Sequence, residues 1–294
     1  MVGETRKTRM EKYGLVLEGG GMRGSYTAGA LHWLSDNHIK LDYGVGISSG
    51  AVYLCAYLMD DVKMLHDLPL KYVIEPNNIG LMALWREGRY VAYNHLFSAD
   101  IRKKGGFDLA PLRAANPDME VGAYDLGICK TVWFNAQDLD DDLQLLKACC
   151  TLPIAGDAVM YKGRKLLDGG ITKMIPIERA LEKGCTKMLV ITTKPADFVR
   201  KPAGSFMRWF MKVNFKKYPQ EVQDYAVRHE NYNHQMQLIN DLAARGDAML
   251  VRPSKTIHVS RFKGDPIKLK KLYNLGYSDM ESRRDELMKF LGRA

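Results

Sequence analysis

The chain has 294 residues, of which 46% are hydrophobic and 26% are charged, and its formal net charge is +9. These proportions are ordinary for a globular protein and exclude a fibrous or disordered chain. The excess of basic residues is compatible with binding to nucleic acid, to an anionic membrane surface or to an acidic small molecule, and also with a role in solubility alone. The charge does not distinguish these possibilities.

The cysteines form no recognisable pairing pattern. They are Cys55, Cys129, Cys149, Cys150 and Cys185. No Cys-x-x-Cys pair is present, and the adjacent Cys149 and Cys150 suit neither an ordinary disulfide nor a zinc site. We therefore expect reduced thiols, an intracellular setting, and no metal or other cofactor.

The N-terminal region is polar and basic, and the apolar run after it, Tyr13–Leu17, is too short for the core of a signal peptide. No stretch reaches the roughly 18 apolar residues of a membrane span. We expect a cytoplasmic protein that is soluble or bound peripherally to a membrane.

The N-terminal part of the chain alternates between short apolar strands and helices. Gly14–Leu17 and Tyr43–Ile47 are apolar runs that predict buried strands. Ser25–Asp36 has helical spacing, and Ala51–Met59 is nearly all apolar, which predicts a helix buried on most sides. This alternation indicates βαβ units and a parallel sheet covered on both faces.

Strands and helices continue later in the chain, and the C-terminal part is mostly helical. Further strands are predicted at Val121–Tyr124, Lys130–Phe134, Lys187–Thr193 and Ala248–Pro253, with a hairpin around Tyr161–Leu167 and helices at Asp141–Cys150, between the last two strands, and over Pro266–Leu291. We expect a core over residues 13–195 and a mainly helical extension over 196–294 that packs on the same domain.

The segment Gly46-Ile47-Ser48-Ser49-Gly50 matches Gly-x-Ser-x-Gly between a predicted strand and a predicted helix. That setting is typical of a nucleophile elbow, in which a serine sits on a strained turn and only small neighbours fit. The amides that begin the helix would favour negative charge beside the serine. A plain glycine-serine loop is the alternative interpretation.

A second glycine-rich loop, Gly19-Gly20-Gly21-Met22-Arg23-Gly24, also joins a predicted strand to a predicted helix. In an acyl hydrolase its amides, with the amide of Ser49, would form an oxyanion hole for the intermediate created when Ser48 attacks an ester. Arg23 is better explained as structural support, for example by neutralising Glu18, than as a substrate contact.

The same loop also satisfies the dinucleotide-binding pattern Gly-x-Gly-x-x-Gly through Gly19, Gly21 and Gly24. That fold expects an acidic residue about 20 positions later, at the end of the second strand. Asp42 is near this spacing but precedes the strand, whose end carries Ser48 instead. A non-catalytic nucleotide- or lipid-binding protein is therefore the alternative function.

A serine nucleophile needs a base, and none of the seven histidines lies in a predicted catalytic loop. An α/β-hydrolase triad has its serine, acidic residue and histidine in that order along the chain, and His258 could be the last of these. A surface or core histidine is the simpler interpretation. Asp168 is the better candidate, because Asp168-Gly169-Gly170 follows the hairpin and its glycines allow a tight turn that presents the carboxylate.

Taken in order, Gly-Gly-Gly-x-Arg-Gly, Gly-x-Ser-x-Gly and Asp-Gly-Gly resemble the patatin-like phospholipase family. The resemblance covers about residues 13–191, and Arg228–Asn233 and Tyr273–Tyr277 look like a bacterial branch of the family. One departure is the small, polar run Ile154–Asp157, where the family commonly has bulky apolar residues.

The resemblance implies a three-layer α/β/α sandwich with a mostly parallel sheet. It implies that Ser48 is the nucleophile and Asp168 the base of a dyad without histidine, with the oxyanion hole at Gly19–Gly24. The expected activity is hydrolysis of fatty-acyl esters of lipids, with no metal.

The segment Phe198–Tyr218 interleaves aromatic residues with lysine and arginine. Such a segment can lie at an anionic lipid interface, or it can be a helix packed on the domain with a solvated basic edge. Nucleic acid is not expected as a partner, because no nucleic-acid motif accompanies the charge.

Overall fold

A computed structural model describes residues 11–260 and 264–293 of the chain. Within these ranges a single mixed sheet runs through the molecule in the order β5-β6-β3-β2-β1-β7-β8, and β4 pairs with β3. The strands are β1 Tyr13–Leu17, β2 Tyr43–Ile47, β3 Met119–Asp125, β4 Lys130–Phe134, β5 Val159–Tyr161, β6 Arg164–Asp168, β7 Lys187–Ile191 and β8 Ala248–Val251.

The helices occupy most of the remaining chain. They are α1 Ser25–Asp36, α2 Ser49–Leu58, α3 Val62–Asp67, α4 Leu81–Glu87, α5 Ala110–Ala115, α6 Gln144–Cys150, α7 Ile177–Glu182, α8 Ser205–Asn214, α9 Pro219–Ala226, α10 Arg228–Ala244, α11 Pro266–Ser282 and α12 Arg284–Phe290. Leu68–Tyr72 and His95–Lys104 form π-helical segments. None of the helices in the described ranges has both the length and the hydropathy that a membrane crossing requires.

The two faces of the sheet are covered by different helices. Successive side chains of a strand point to opposite faces, so Leu15 and Leu17 of β1 pack with α1, α2 and α11, whereas Val16 packs with α7 and α10. The strands β3, β2, β1, β7 and β8 are parallel, and β4, β5 and β6 add antiparallel pairs. The predicted three-layer α/β/α sandwich with a mostly parallel sheet is confirmed.

Most predicted elements agree with the structure to within a few residues, and the clearest shift is at the start of α6. The helix predicted from Asp141 begins at Gln144. Leu143 adopts a left-handed backbone with φ 56°, and the Asp140 carboxylate accepts hydrogen bonds from the amides of Gln144 and Leu145 at 2.8 and 2.9 Å. An aspartate that caps these amides therefore starts the helix later than the pattern suggests.

The C-terminal part of the chain contributes to both the sheet and a helical layer. Strand β8 pairs in parallel with β7. Helix α11 lies directly on α1: a Cβ on Gly29 would approach the Tyr273 carbonyl oxygen to 1.9 Å, and one on Gly276 would approach the Tyr26 carbonyl oxygen to 2.1 Å. Glycine at both crossing points is what allows this contact. The boundary near residue 195 stays a prediction.

A buried carboxyl group in α9 makes the stability of this part of the chain sensitive to pH. Glu221 is fully buried, and neither of its carboxyl oxygens has a hydrogen-bond partner among the described residues. Burial, and then the charge of Asp224, raises the pKa of Glu221 from 4.5 to about 8. The group is therefore accommodated in its neutral form.

We expect the Glu221→Gln variant to gain stability relative to the wild type as the pH rises from about 5 to 8. Between these pH values Glu221 is protonated in the folded wild type and ionised in the unfolded chain. The free energy of unfolding of the wild type therefore falls as the pH rises, by up to about 1.4 kcal/mol for each unit by which the pKa of Glu221 is raised. Urea denaturation at several pH values measures the difference. The exposed Glu230→Gln variant is the control, and equal pH dependence of Glu221→Gln and wild type would contradict the prediction.

Candidate active site

Ser48 lies on a strained turn between β2 and α2. Its backbone has φ 55° and ψ −128°, a conformation that is costly for a residue with a side chain. A Cβ on Gly46 would come within 2.5 Å of the Gly50 carbonyl oxygen, and a Cβ on Gly50 within 2.9 Å of the Leu17 carbonyl oxygen. Gly46 and Gly50 therefore allow the strand, the turn and the helix to pack this closely, as the sequence pattern predicted.

Asp168 and Ser48 are brought to the same region because β2 and β6 both pair with β3. Strand β2 runs parallel to β3 and ends with Ile47 opposite Gly122. Strand β6 runs antiparallel to β3 and ends with Asp168 opposite Ala123. Because Gly122 and Ala123 are consecutive, the carboxyl ends of β2 and β6 converge from opposite directions on one point of β3.

The turn after β6 holds the Asp168 side chain by its own backbone. The carboxylate oxygen Oδ1 of Asp168 accepts a hydrogen bond of 2.7 Å from the amide of Gly170. The Asp168 amide donates to the carbonyl of Thr151 at 2.8 Å. A Cβ on Gly169 would lie 2.6 Å from the Gly122 carbonyl oxygen, so the first glycine of the motif packs against β3.

At least one residue from each of the three predicted motifs lines one small cavity. Its volume is about 270 Å³, including space open to solvent, and it is lined by Gly19, Gly20, Gly21, Ser48, Leu152, Asp168, Gly170, Met174 and Arg228. The three motifs are thus brought together, although more than a hundred residues separate the first from the last in the sequence.

Two amides of the glycine-rich loop are already engaged within the protein. The Gly19 amide donates to the Met174 carbonyl at 3.0 Å, and the Gly20 amide donates to Ser49 Oγ at 3.1 Å. The chain then forms a tight 3₁₀ turn over Gly21–Gly24. The amides of Gly21 and Met22 are the remaining candidates in the first part of the loop for binding a developing oxyanion.

A larger apolar cavity opens on the other side of Ser48. Its volume is about 710 Å³, including space open to solvent. The lining residues are Gly21, Met22, Ser48, Ser49, Val52, Tyr53, Leu68, Val73, Ile79, Val91, Tyr93, Leu96, Phe97, Ile101, Cys150 and Leu152. One wall comes from the segment between Leu68 and Ile101, which the sequence analysis did not assign to the site. Apolar residues at helical spacing, such as Phe97 and Ile101, were the available signal.

The small run Ile154–Asp157 is explained by a neighbouring aromatic ring. A Cβ on Gly156 would lie 2.8 Å from the ring of Tyr93, and Tyr93 lines the apolar cavity. Asp157 turns outward and forms an ion pair with Arg89. The ring of Tyr93 therefore occupies the space beside this run of small residues.

Cys150 lies beside the candidate nucleophile. Burial, and then the charge of Asp168, raises the pKa of the Cys150 thiol well above its usual value, although a hydrogen bond with Ser48 acts in the opposite direction. The thiol is therefore neutral at physiological pH. It forms part of the apolar wall and is a poor nucleophile.

Arg228 is a site residue whose position the sequence analysis did not foresee. It is the first residue of α10, is 6% exposed, and its Nε donates a hydrogen bond to the Gly170 carbonyl. Its guanidinium also lies 5.4 Å from the centre of the Tyr225 ring. Arg228 thus ties the C-terminal part of the chain to the turn that carries Asp168.

The alternative candidates lie elsewhere. His258 is exposed, and neither cavity beside Ser48 includes a histidine among its lining residues in the described chain. Asp42 precedes β2 and accepts a hydrogen bond of 2.7 Å from the Tyr13 amide. It therefore lies at the opposite end of β1 and β2 from the glycine-rich loop, which does not suit a ribose-binding carboxylate.

We expect Gly46→Ala to reduce labelling of Ser48 by a fluorophosphonate probe at least tenfold. The new Cβ would overlap the Gly50 carbonyl, so the turn must shift and carry Ser48 with it. Gly204→Ala is the matched control, because a Cβ at that position meets no atom within 4 Å. Equal labelling of the two variants at equal melting temperature would contradict the steric role of Gly46.

Comparison with known proteins gives matches over both parts of the chain. A family model described as patatin-like phospholipase matches residues 15–181, and one described as a domain of unknown function, DUF6363, matches residues 218–292. The uncharacterized protein YjjU of Escherichia coli (strain K12) is 25% identical over 213 residues, which cover 68% of this chain and 55% of YjjU. The chain thus spans little more than half the length of this relative.

Solved structures provide two further comparisons. VipD from Legionella pneumophila matches 94% of this chain and 67% of its own, with a TM-score of 0.51 and 11% identity. ExoU from the type III secretion system of Pseudomonas aeruginosa, solved in complex with SpcU, matches 93% of this chain and 52% of its own, with a TM-score of 0.36 and 13% identity. At these identities the likeness to VipD concerns the fold.

Proposed function

Because the chain belongs to the patatin-like phospholipase family, a family of lipid ester hydrolases, we propose that it cleaves fatty-acyl esters of lipids with Ser48 as nucleophile and Asp168 as base. The convergence of β2 and β6 on consecutive residues of β3 carries this proposal, because it brings both side chains to one cavity. The apolar cavity on the other side of Ser48 supports an acyl chain as the bound group.

In the proposed reaction, the Asp168 carboxylate accepts the Ser48 hydroxyl proton as Oγ bonds to the ester carbonyl carbon. The bond to the alcohol then breaks, and the alcohol leaves with the proton from Asp168. Water attacks the acyl-serine and gives a proton to Asp168. Ser48 recovers that proton as the fatty acid is released.

The developing oxyanion would be bound by the backbone amides of Gly21, Met22 and Ser49. Those of Gly19 and Gly20 have partners within the protein, so their role is to position the loop. Ser49 is the first residue of α2, so its amide lies at the positive end of the helix dipole, directly after Ser48. Loss of one such donor typically costs about 3–4 kcal/mol of transition-state stabilisation.

We expect Ser48→Ala to abolish fatty-acid release and Asp168→Asn to reduce it by about 100-fold or more, because a general base typically contributes that much. A panel of phospholipid, monoacylglycerol and thioester substrates, run on wild type and both variants, measures the effect. His258→Ala is the control and should retain wild-type activity. Activity in Ser48→Ala, or a loss below tenfold in Asp168→Asn, would contradict the dyad.

We also propose that the segment 198–218 contacts anionic membranes peripherally. Phe206, Trp209 and Val213 of α8 are exposed to solvent. Met211 of the same helix is buried and packs on the domain. Exposed basic side chains, namely Arg208, Lys212, Lys216 and Lys217, accompany the aromatic residues. Aromatic and basic side chains exposed together favour an anionic lipid interface.

We expect combined replacement of Lys212, Lys216 and Lys217 by alanine to weaken binding to phosphatidylserine-containing vesicles roughly 100-fold, because each lysine contributes about 1 kcal/mol near such a surface. Vesicle sedimentation at low salt measures the change. Binding to phosphatidylcholine vesicles should be unaltered by the same replacements. Unchanged affinity for the anionic vesicles would remove the segment as an electrostatic contact.

A further inference from the structure

Helix α4 presents an apolar surface to solvent. Leu81 and Trp85 are each 83% exposed, Leu84 is 53% exposed and Met82 is 45% exposed. Ala83 is the one buried residue of this helix. Large exposed apolar patches are uncommon on monomeric soluble proteins and usually mark a contact site.

Both ends of α4 are attached to walls of the apolar cavity. Ile79 precedes α4 in the chain and Val91 follows it, and the two residues form an antiparallel β-bridge. Both residues line the cavity. At its C-terminal end, the Glu87 carboxylate accepts a hydrogen bond of 2.8 Å from the His95 amide. His95 begins the π-helical segment whose Leu96 lines the same cavity. Helix α4 is therefore held at both ends by residues that line, or lie next to, the cavity that reaches Ser48.

The composition of this surface fits a lipid interface. Trp85 and Tyr90 are aromatic residues that favour the boundary between water and hydrocarbon, and Arg86 is a neighbouring exposed cation that can remain at the level of the headgroups.

One loop residue, Ile154, connects the segment that follows α4 with the surroundings of α8. Ile154 packs against the cluster that contains Val91 and Leu152, and also against the cluster that contains Met211 of α8. The segment that follows α4 and helix α8 are thus linked through one shared packing residue.

We propose that α4 is a docking element that inserts its apolar face into the surface of a lipid bilayer or micelle, with the cavity opening toward the lipid. This inference rests on the proposed hydrolase function of the same cavity. An acyl chain would then pass from the lipid along the side chains of Ile79 and Val91 to Ser48 without crossing bulk water. Burial of the Leu81 and Trp85 side chains, rather than charge, drives this contact.

The test compares Leu81→Ser, Trp85→Ser and their combination with wild type, all in a Ser48→Ala background so that no lipid is consumed. We expect the combined variant to bind phosphatidylcholine vesicles at least tenfold more weakly in sedimentation assays, at low and high salt alike. Leu181→Ser is the matched control, because Leu181 is an exposed residue near the end of α7, which leads to the amino end of β7 and lies away from Ser48.

A fluorescence measurement separates insertion from indirect effects. Phosphatidylcholine vesicles should shift the tryptophan emission of a Trp209→Phe protein, which lacks the exposed tryptophan of α8, to shorter wavelength. Adding Trp85→Phe should remove most of this shift while vesicle affinity is kept. Wild-type vesicle affinity in the Leu81→Ser/Trp85→Ser protein would overturn the inference. So would an equal emission shift in the Trp209→Phe protein with and without Trp85→Phe, or sedimentation showing that α4 instead joins two copies of the chain.

Activity measurements with Ser48 intact distinguish this inference from the proposed function. The α4 variants should lose at least tenfold in hydrolysis of vesicle lipids and retain hydrolysis of a short, water-soluble ester. Equal loss on both substrates would overturn the docking role. If the wild type hydrolysed neither substrate but vesicle binding still depended on α4, the proposed function would fail and the docking inference would stand.

Discussion

The candidate site depends on the meeting of two strand ends on a third strand. Strand β3 is paired in parallel with β2 over one part of its length and antiparallel with β6 over the next. Two chain segments that approach from opposite directions therefore end side by side. Since strand pairing fixes positions to within about one residue, this arrangement places Ser48 and Asp168 without help from a flexible loop.

The strained conformation of Ser48 is maintained by its surroundings. Backbone from β1 and from the start of α2 packs against the glycines on both sides of it, so the turn cannot relax without separating strand from helix. Such strain costs of order 1–3 kcal/mol and persists only where neighbouring structure over-determines it. The benefit is a serine hydroxyl at the start of a helix that lines both the small cavity and the larger apolar one.

The two parts of the chain are physically interdependent. The patatin-like match covers 15–181, yet Arg228 from the later part binds the turn after Asp168, β8 extends the sheet, and α11 crosses α1 at two glycines. A C-terminal region with these contacts supports the site directly. In the proposed reaction, the apolar cavity would bind the acyl chain and the small cavity would hold the ester, so that different walls of one site would serve the two tasks.

The sequence by itself determined the local features of this protein. Apolar periodicity and glycine patterns predicted the first two strands and helices, the turn at Ser48 and the turn after Asp168, because these depend on residues close together in the chain. Their order also identified the family. Tertiary structure alone decided that β6 pairs with β3 beside β2, that Arg228 enters the site, and that Leu68–Ile101 encloses the apolar cavity. Such contacts join residues far apart in sequence, and no local pattern encodes which distant segments will bury the same surface.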